Sequence, residues 1–163
     1  MSITFNADEI FEMAEQIERN GAKFYRKAAK GAAGASSKDT LLGLADMEVE
    51  HERTFAAMRV ELSTLERASA SFDPEGQAAL YLRAIADGHV FNPKADPSAK
   101  LTGKETPAQV FRTAIGLEKD SIVFYLGIQD LVGKTLGRDK IANIIQEEMS
   151  HVTLLSGELA KVE

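Results

Sequence analysis

Two Glu-x-x-His stretches, Glu48-Val49-Glu50-His51 and Glu148-Met149-Ser150-His151, stand a hundred residues apart in a chain of 163. On a helix this spacing puts a carboxylate and an imidazole one turn apart on the same face. One such pair constrains little, since exposed helix faces carry it by chance. The same offset, however, relates the residues upstream of each copy. The stretch from Ile10 to Tyr25 matches the stretch from Val110 to Tyr125, so Glu18, Glu48 and His51 recur as Glu118, Glu148 and His151. Two of the three histidines fall in this scheme. It predicts a duplicated unit.

Apolar periodicity gives the unit its form. Ile10, Ala14, Ile17, Gly21, Phe24 and Ala28 recur at helical spacing, with Asn6 or Asp8 as the cap and Gly31 to Ser37 as the stop. A second stripe runs Leu41, Leu44, Glu48, His51, Phe55, Met58, Leu62 and Leu65, from a start near Ser37 or Asp39. Glu48 and His51 interrupt its apolar face, whereas a solvated acid belongs on the side of Glu50 and Glu52. Thr106-Pro107 opens a third helix, with stripe Val110, Ala114, Leu117, Ser121, Phe124 and Ile128 and a stop at Gly133. The fourth starts after Gly137 and carries Ile141, Ile144, Glu148, His151 and Leu155. No strand pattern competes, so the expected fold is all-α: two hairpins, about 7–69 and 106–163, folded as one four-helix bundle domain over 1–163.

Between the hairpins, residues 70–105 form a long connection with a short helical piece near Glu75 to Ala86, and Pro93, Pro97 and Gly103 mark loop. A helix of about 25 residues spans on the order of 38 Å, and this connection can cross that distance. His89 lies in it and receives no role. The third helix also carries a second apolar line, Ile115, Ile122 and Leu126, to be covered by the crossover or by another copy of the chain. A homodimer or larger homo-oligomer is expected.

The absence of cysteine rules out disulfides, thiolate metal sites and a cysteine nucleophile. Asp8, Glu9 and Glu12 precede any apolar run, so no signal peptide is expected, and no stretch reaches the length of a membrane span. A cytoplasmic protein without a membrane partner follows. The net charge is −6, but four of the negatives are the stripe glutamates, and no basic face offers itself to phosphates. Nucleic acid is not expected as a partner.

Four inward carboxylates need compensation, since two charges about 5 Å apart repel by roughly 3 kcal/mol at an effective dielectric of 20. Two divalent cations supply it. Carboxylates with one imidazole per metal and no sulfur suit iron or manganese, with zinc also able to bind. The two-fold repeat implies that each ion takes one terminal glutamate and one histidine, His51 or His151, while two of Glu18, Glu48, Glu118 and Glu148 bridge. Tyr25 and Tyr125, seven residues after Glu18 and Glu118, are candidates for hydrogen-bond donors to the ligands or for radical sinks; a plain core role is equally open. Glu15 and Glu147 flank the motif without a repeat counterpart and read as structural or solvent-exposed.

On these residues the chain resembles the ferritin-like superfamily, and within it the rubrerythrin-related di-iron proteins. The ligand pattern of ferritin-like carboxylate proteins is itself a known one. The resemblance implies a bundle with a long crossover between its second and third helices, a centre of two iron ions bridged by Glu48 and Glu148, and chemistry with peroxide or dioxygen. An external electron donor would restore the ferrous state. Rubrerythrins usually add a cysteine-rich rubredoxin domain, absent here, and a seventh carboxylate one turn after the third helix's glutamate, where this chain has Ser121. That departure brings the site closer to a ferroxidase centre acting on Fe(II). Three functions therefore stay open: a di-iron oxidoreductase, an iron-handling ferroxidase, and a non-enzymatic helical protein with a structural metal site.

Overall fold

A computed structural model describes residues 6–62, 64, 80–82, 84, 92, 95–132 and 136–163. Four long helices, α1 (Ala7–Gly31), α2 (Ala35–Val60), α3 (Pro107–Gln129) and α4 (Arg138–Ala160), make up most of them. No strand occurs among the described residues, and no helix there is long and apolar enough to cross a membrane.

Helix starts follow local chemistry. Asn6 caps α1 in a capping box, accepting from the Glu9 amide at 2.9 Å while the Glu9 carboxylate accepts from the Asn6 amide at 3.0 Å. Thr106 and Gln109 repeat the device at α3, with Pro107 in the first turn. Two boundaries differ from the sequence reading. Helix α2 begins at Ala35, before Ser37 and Asp39, because the Gly34 backbone serves as N-cap without a side-chain hydrogen bond. Helix α3 stops at Gln129 rather than continuing towards Gly133.

Two apolar clusters fix the directions of the helices. One joins Phe11 of α1, Phe55 of α2, Phe124 of α3 and Ile141 of α4; the other joins Phe24, Leu41, Phe111 and Leu155 from the same four helices. The first cluster thus takes the N-terminal half of α1 with the C-terminal half of α3, and the second takes the converse. Helices α1 and α3 are antiparallel, as are α2 and α4, while α2 and α3 run the same way. A short loop cannot join parallel helices end to start, which is the physical reason for the long connection. The hundred-residue offset exchanges the clusters: Phe11 pairs with Phe111, Phe24 with Phe124, Leu41 with Ile141, and Phe55 with Leu155. The polar stripe residues lie in the layer between.

Of the crossover, residues 80–82 and 84 are helical, while the rest of the segment expected near Glu75 to Ala86, together with His89, lies outside the described residues. Tyr81 covers part of the second apolar line of α3. Its ring lies so close that a Cβ on Gly127 would come within 2.0 Å of it, and its hydroxyl donates to the Val123 carbonyl. Ile122 packs in the same cluster, whereas Leu126 stays half exposed. Pro97–Lys100, read as loop, forms a 3-10 turn capped by Asp96. Asn20 of α1 donates to the Ala95 carbonyl at 3.0 Å, and Lys27 to that of Ser98 at 2.8 Å, tying this end of the crossover along α1.

Candidate metal centre

Glu18, Glu48, His51, Glu118, Glu148 and His151 are all buried in the layer between the apolar clusters. Each arrives from a different helix or turn: Glu18 from α1, Glu118 from α3, and one Glu-x-x-His pair from each of α2 and α4. They form two overlapping groups, Glu18, Glu48, His51 and Glu148, and Glu48, Glu118, Glu148 and His151, with ligand atoms within 4.8 Å of one another in each group. Glu48 and Glu148 are shared. The sharing is visible atom by atom at Glu148, whose Oε1 lies 3.1 Å from His51 Nδ1 and whose Oε2 lies 3.0 Å from His151 Nδ1. His51 Nδ1 is also 3.4 Å from Glu18 Oε2, and His151 Nδ1 is 3.5 Å from Glu48 and 3.6 Å from Glu118. The two imidazoles stack, their centres 5.6 Å apart.

Proximity of this kind is costly without cations. Glu18 Oε2, Glu48 Oε1, Glu148 Oε1 and His51 Nδ1 are buried and meet hydrogen-bond geometry with no described group. Native interiors rarely leave polar atoms in that condition. Unlike a buried polar network, whose members satisfy one another, these atoms share one small space and lack partners. A cation in each group would satisfy them.

The protein's own groups respond by holding protons. Burial and the neighbouring carboxylates of Glu18, Glu148 and Glu118 push Glu48 well above the usual carboxyl range. Burial likewise raises Glu118, to about 8, against the opposing pull of His151. Burial opposes the charged form of His51, yet the close carboxylates of Glu148 and Glu18 raise it to about 11; Glu118 and Glu148 raise His151 to about 9 in the same way. Glu148 goes the other way. Burial and Glu18 would raise it, but Glu118 and both imidazoles hold it below its ordinary value. Of the two shared carboxylates, Glu148 is thus the one held towards its ionised form.

Tyr25 donates to Glu118 and Tyr125 donates to Glu18. Each tyrosine serves the glutamate of the opposite half, not the one seven residues before it. Side chains lean towards the N-terminus of their own helix. In antiparallel α1 and α3, Tyr25 therefore leans inward to the layer that Glu118 leans out from. Burial raises both hydroxyls well above the usual phenol range, keeping them protonated donors.

Two acids set aside by the sequence reading differ in outcome. Glu15 is nearly buried, with Arg59 at 3.4 Å and Arg19 at 3.8 Å, which is a structural role. Glu147, with 60% of its side chain exposed, nevertheless places Oε2 2.6 Å from His51 Nε2. The repeat hid this residue, since Met47 occupies the equivalent position. The signal available was the adjacency of α2 and α4, which presents the residue before one motif to the histidine of the other.

A cavity of about 410 Å³ reaches the layer from one side, between α1, α3 and the 3-10 turn. Glu48, Glu118 and Tyr25 form part of its buried wall, and Gly21, Ser121 and Asp120 line it with Lys100. Gly21 matters for close approach: a Cβ there would sit 2.9 Å from Glu48 Oε2. Ser121, its repeat counterpart, turns its hydroxyl onto the Leu117 carbonyl at 3.1 Å.

No protein-family model matches the chain, and neither does any curated protein sequence. Among solved structures, the chain is similar to a Thermotoga maritima protein provisionally described as a ferritin-like diiron-carboxylate protein, with 24% identity, a TM-score of 0.71 and 98% of each chain covered. With four long helices, a crossover between α2 and α3 and this likeness over nearly the whole length, the chain has the ferritin-like fold.

Proposed function

We propose that the protein is a non-haem di-iron oxidoreductase related to the rubrerythrins, acting on hydrogen peroxide or dioxygen and reset by an external electron donor. The observation that carries this reading is the pair of overlapping ligand groups sharing Glu48 and Glu148. Glu18 and His51 would complete one ion's ligands, and Glu118 and His151 the other's. Four carboxylates, two imidazoles and no sulfur favour iron, with manganese next and zinc able to occupy the same donors. The diiron-carboxylate description of the Thermotoga maritima protein supports the choice of iron.

Two ferrous ions held by these residues would supply the two electrons that, with two protons, reduce peroxide to two waters. The chain supplies the rest. Its paired apolar clusters close the layer above and below, and the cavity beside Ser121 is large enough for a molecule the size of peroxide. Tyr25 and Tyr125 fix the terminal glutamates by hydrogen bonds. Glu48, the shared carboxylate with the stronger proton affinity in the metal-free chain, would give up its proton as the ions bind.

Ser121 favours a second reading, an iron-handling ferroxidase in which Fe(II) is the substrate, because a hydroxyl stands where the rubrerythrin-related proteins carry an additional carboxylate. Stopped-flow mixing separates the two. Anaerobically loaded protein mixed with peroxide should develop ferric near-ultraviolet absorption within the mixing time scale and far faster than with dioxygen. Preference for dioxygen, with loss of iron from the protein after oxidation, would support the ferroxidase; an inert loaded site would refute both.

A further inference from the structure

The two halves of the centre are not equivalent. His51 directs Nδ1 at Glu18 and Glu148 and places Nε2 2.6 Å from Glu147. An imidazole that ligates through Nδ1 carries its proton on Nε2, so Glu147 accepts that hydrogen bond. His151 directs Nδ1 at Glu148 in the same way, but its Nε2 is buried and has no hydrogen-bond partner among the described residues. The offset that relates the halves pairs Glu147 with Met47. Met47 is comparably surface-facing, at 39% exposure, yet its thioether is a weak acceptor.

The cavity adds an independent asymmetry. It touches Glu118 and the shared Glu48 but neither Glu18 nor either histidine, so of the two terminal glutamates Glu118 alone lines it. The terminal glutamate that faces the opening thus belongs to the half whose histidine lacks an outer carboxylate.

We propose that Glu147 is a positioning residue that makes the two metal positions unequal: the position on Glu18 and His51 holds its divalent cation firmly, and the position on Glu118 and His151 exchanges its cation through the cavity. The proposal rests on the two-metal reading above. A carboxylate on the outer N–H of a metal-bound imidazole fixes the ring and tautomer and strengthens its donation, and losing such a partner typically weakens metal binding by about 10–100-fold. His51 has this support, whereas the outer nitrogen of His151 has no such partner among the described residues. One position then behaves as a resident cofactor site and the other as a port for exchange.

Anaerobic titration of the full chain with Co(II), followed by visible d–d absorption and equilibrium dialysis, tests this directly. The native chain should bind in two steps with dissociation constants about 10–100-fold apart. Glu147→Ala, a change at an exposed side chain that leaves the fold intact by circular dichroism, should weaken the first step to the level of the second. Glu147→Gln, which keeps an acceptor oxygen, should recover part of the loss. Glu118→Gln should abolish the weak step and spare the tight one. Two equal steps in the native chain, or a first step unmoved by Glu147→Ala, overturns the proposal while leaving a two-metal site standing. Failure to bind either ion overturns the two-metal reading as well.

Discussion

The hydroxyl of Tyr25 on α1 donates to the carboxylate of Glu118 on α3, 93 residues away. Its counterpart, Tyr125, donates to Glu18. The two contacts cross the bundle in opposite senses and tie the hairpins together at the polar layer. Removing either should matter equally. Tyr25→Phe and Tyr125→Phe are each expected to cost about 1.5 kcal/mol, as for losing one partner of a buried hydrogen bond. For a chain of this size that lowers Tm by about 3–6 °C. Calorimetry on the two variants and their double would detect a strong inequality, which would argue against the pseudo-symmetric arrangement.

Charge compensation gives a second expectation, with a definite sign. Glu118, His51 and His151, raised to about 8, about 11 and about 9, bind protons more tightly in the folded chain than in the unfolded one. The unfolded values are about 4.3 for glutamate and about 6.5 for histidine. Stability of the metal-free protein is therefore greatest below these values and falls as pH rises towards 9. Glu148, held low, is ionised in both states over pH 6–9 and does not offset the loss. Metal binding needs deprotonated ligands, so the rise in Tm on adding Mn(II) should grow over the same interval. Parallel melting curves with chelator and with Mn(II) should diverge as pH rises, and a constant gap would contradict this.

Glu48 belongs to both ligand groups and Glu18 to one. Anaerobic loading followed by elemental analysis should find that Glu18→Gln retains a single ion, whereas Glu48→Gln loses both. Equal occupancy in the two variants would contradict the sharing of Glu48.

Gly21 separates fold from site. Alanine is the better helix former by about 1 kcal/mol, so Gly21→Ala should leave the metal-free protein as stable or more so. Its Cβ, however, would meet Glu48 Oε2 at 2.9 Å and push the carboxylate aside. Metal affinity, read by competition with a chromogenic chelator, should fall on the order of tenfold, the scale set by disturbing a ligand's immediate surroundings.

These residues also show what the chain discloses before it is folded. The six-residue constellation was legible because duplication repeats the inward positions at one offset, and helical periodicity puts Glu48, His51, Glu148 and His151 on otherwise apolar stripes. The crossover was legible as a length. The partners of Tyr25 and Tyr125 were not, because the sequence specifies a residue's face but the antiparallel pairing of α1 and α3 decides whose glutamate it meets. Glu147 escaped for the converse reason: it breaks the repeat, and its contact with His51 exists only once α2 and α4 are side by side. The start of α2 at Ala35 was missed because a backbone cap at Gly34 leaves no side-chain signature.

Anomalous diffraction from crystals of the protein loaded anaerobically with Fe(II) tests the central claim most directly. Two iron peaks are expected in the layer between the apolar clusters, one between Glu18 and His51, the other between Glu118 and His151, with Glu48 and Glu148 between them. Iron found only at the surface, or a layer that takes up no iron at saturating concentration, would contradict the account.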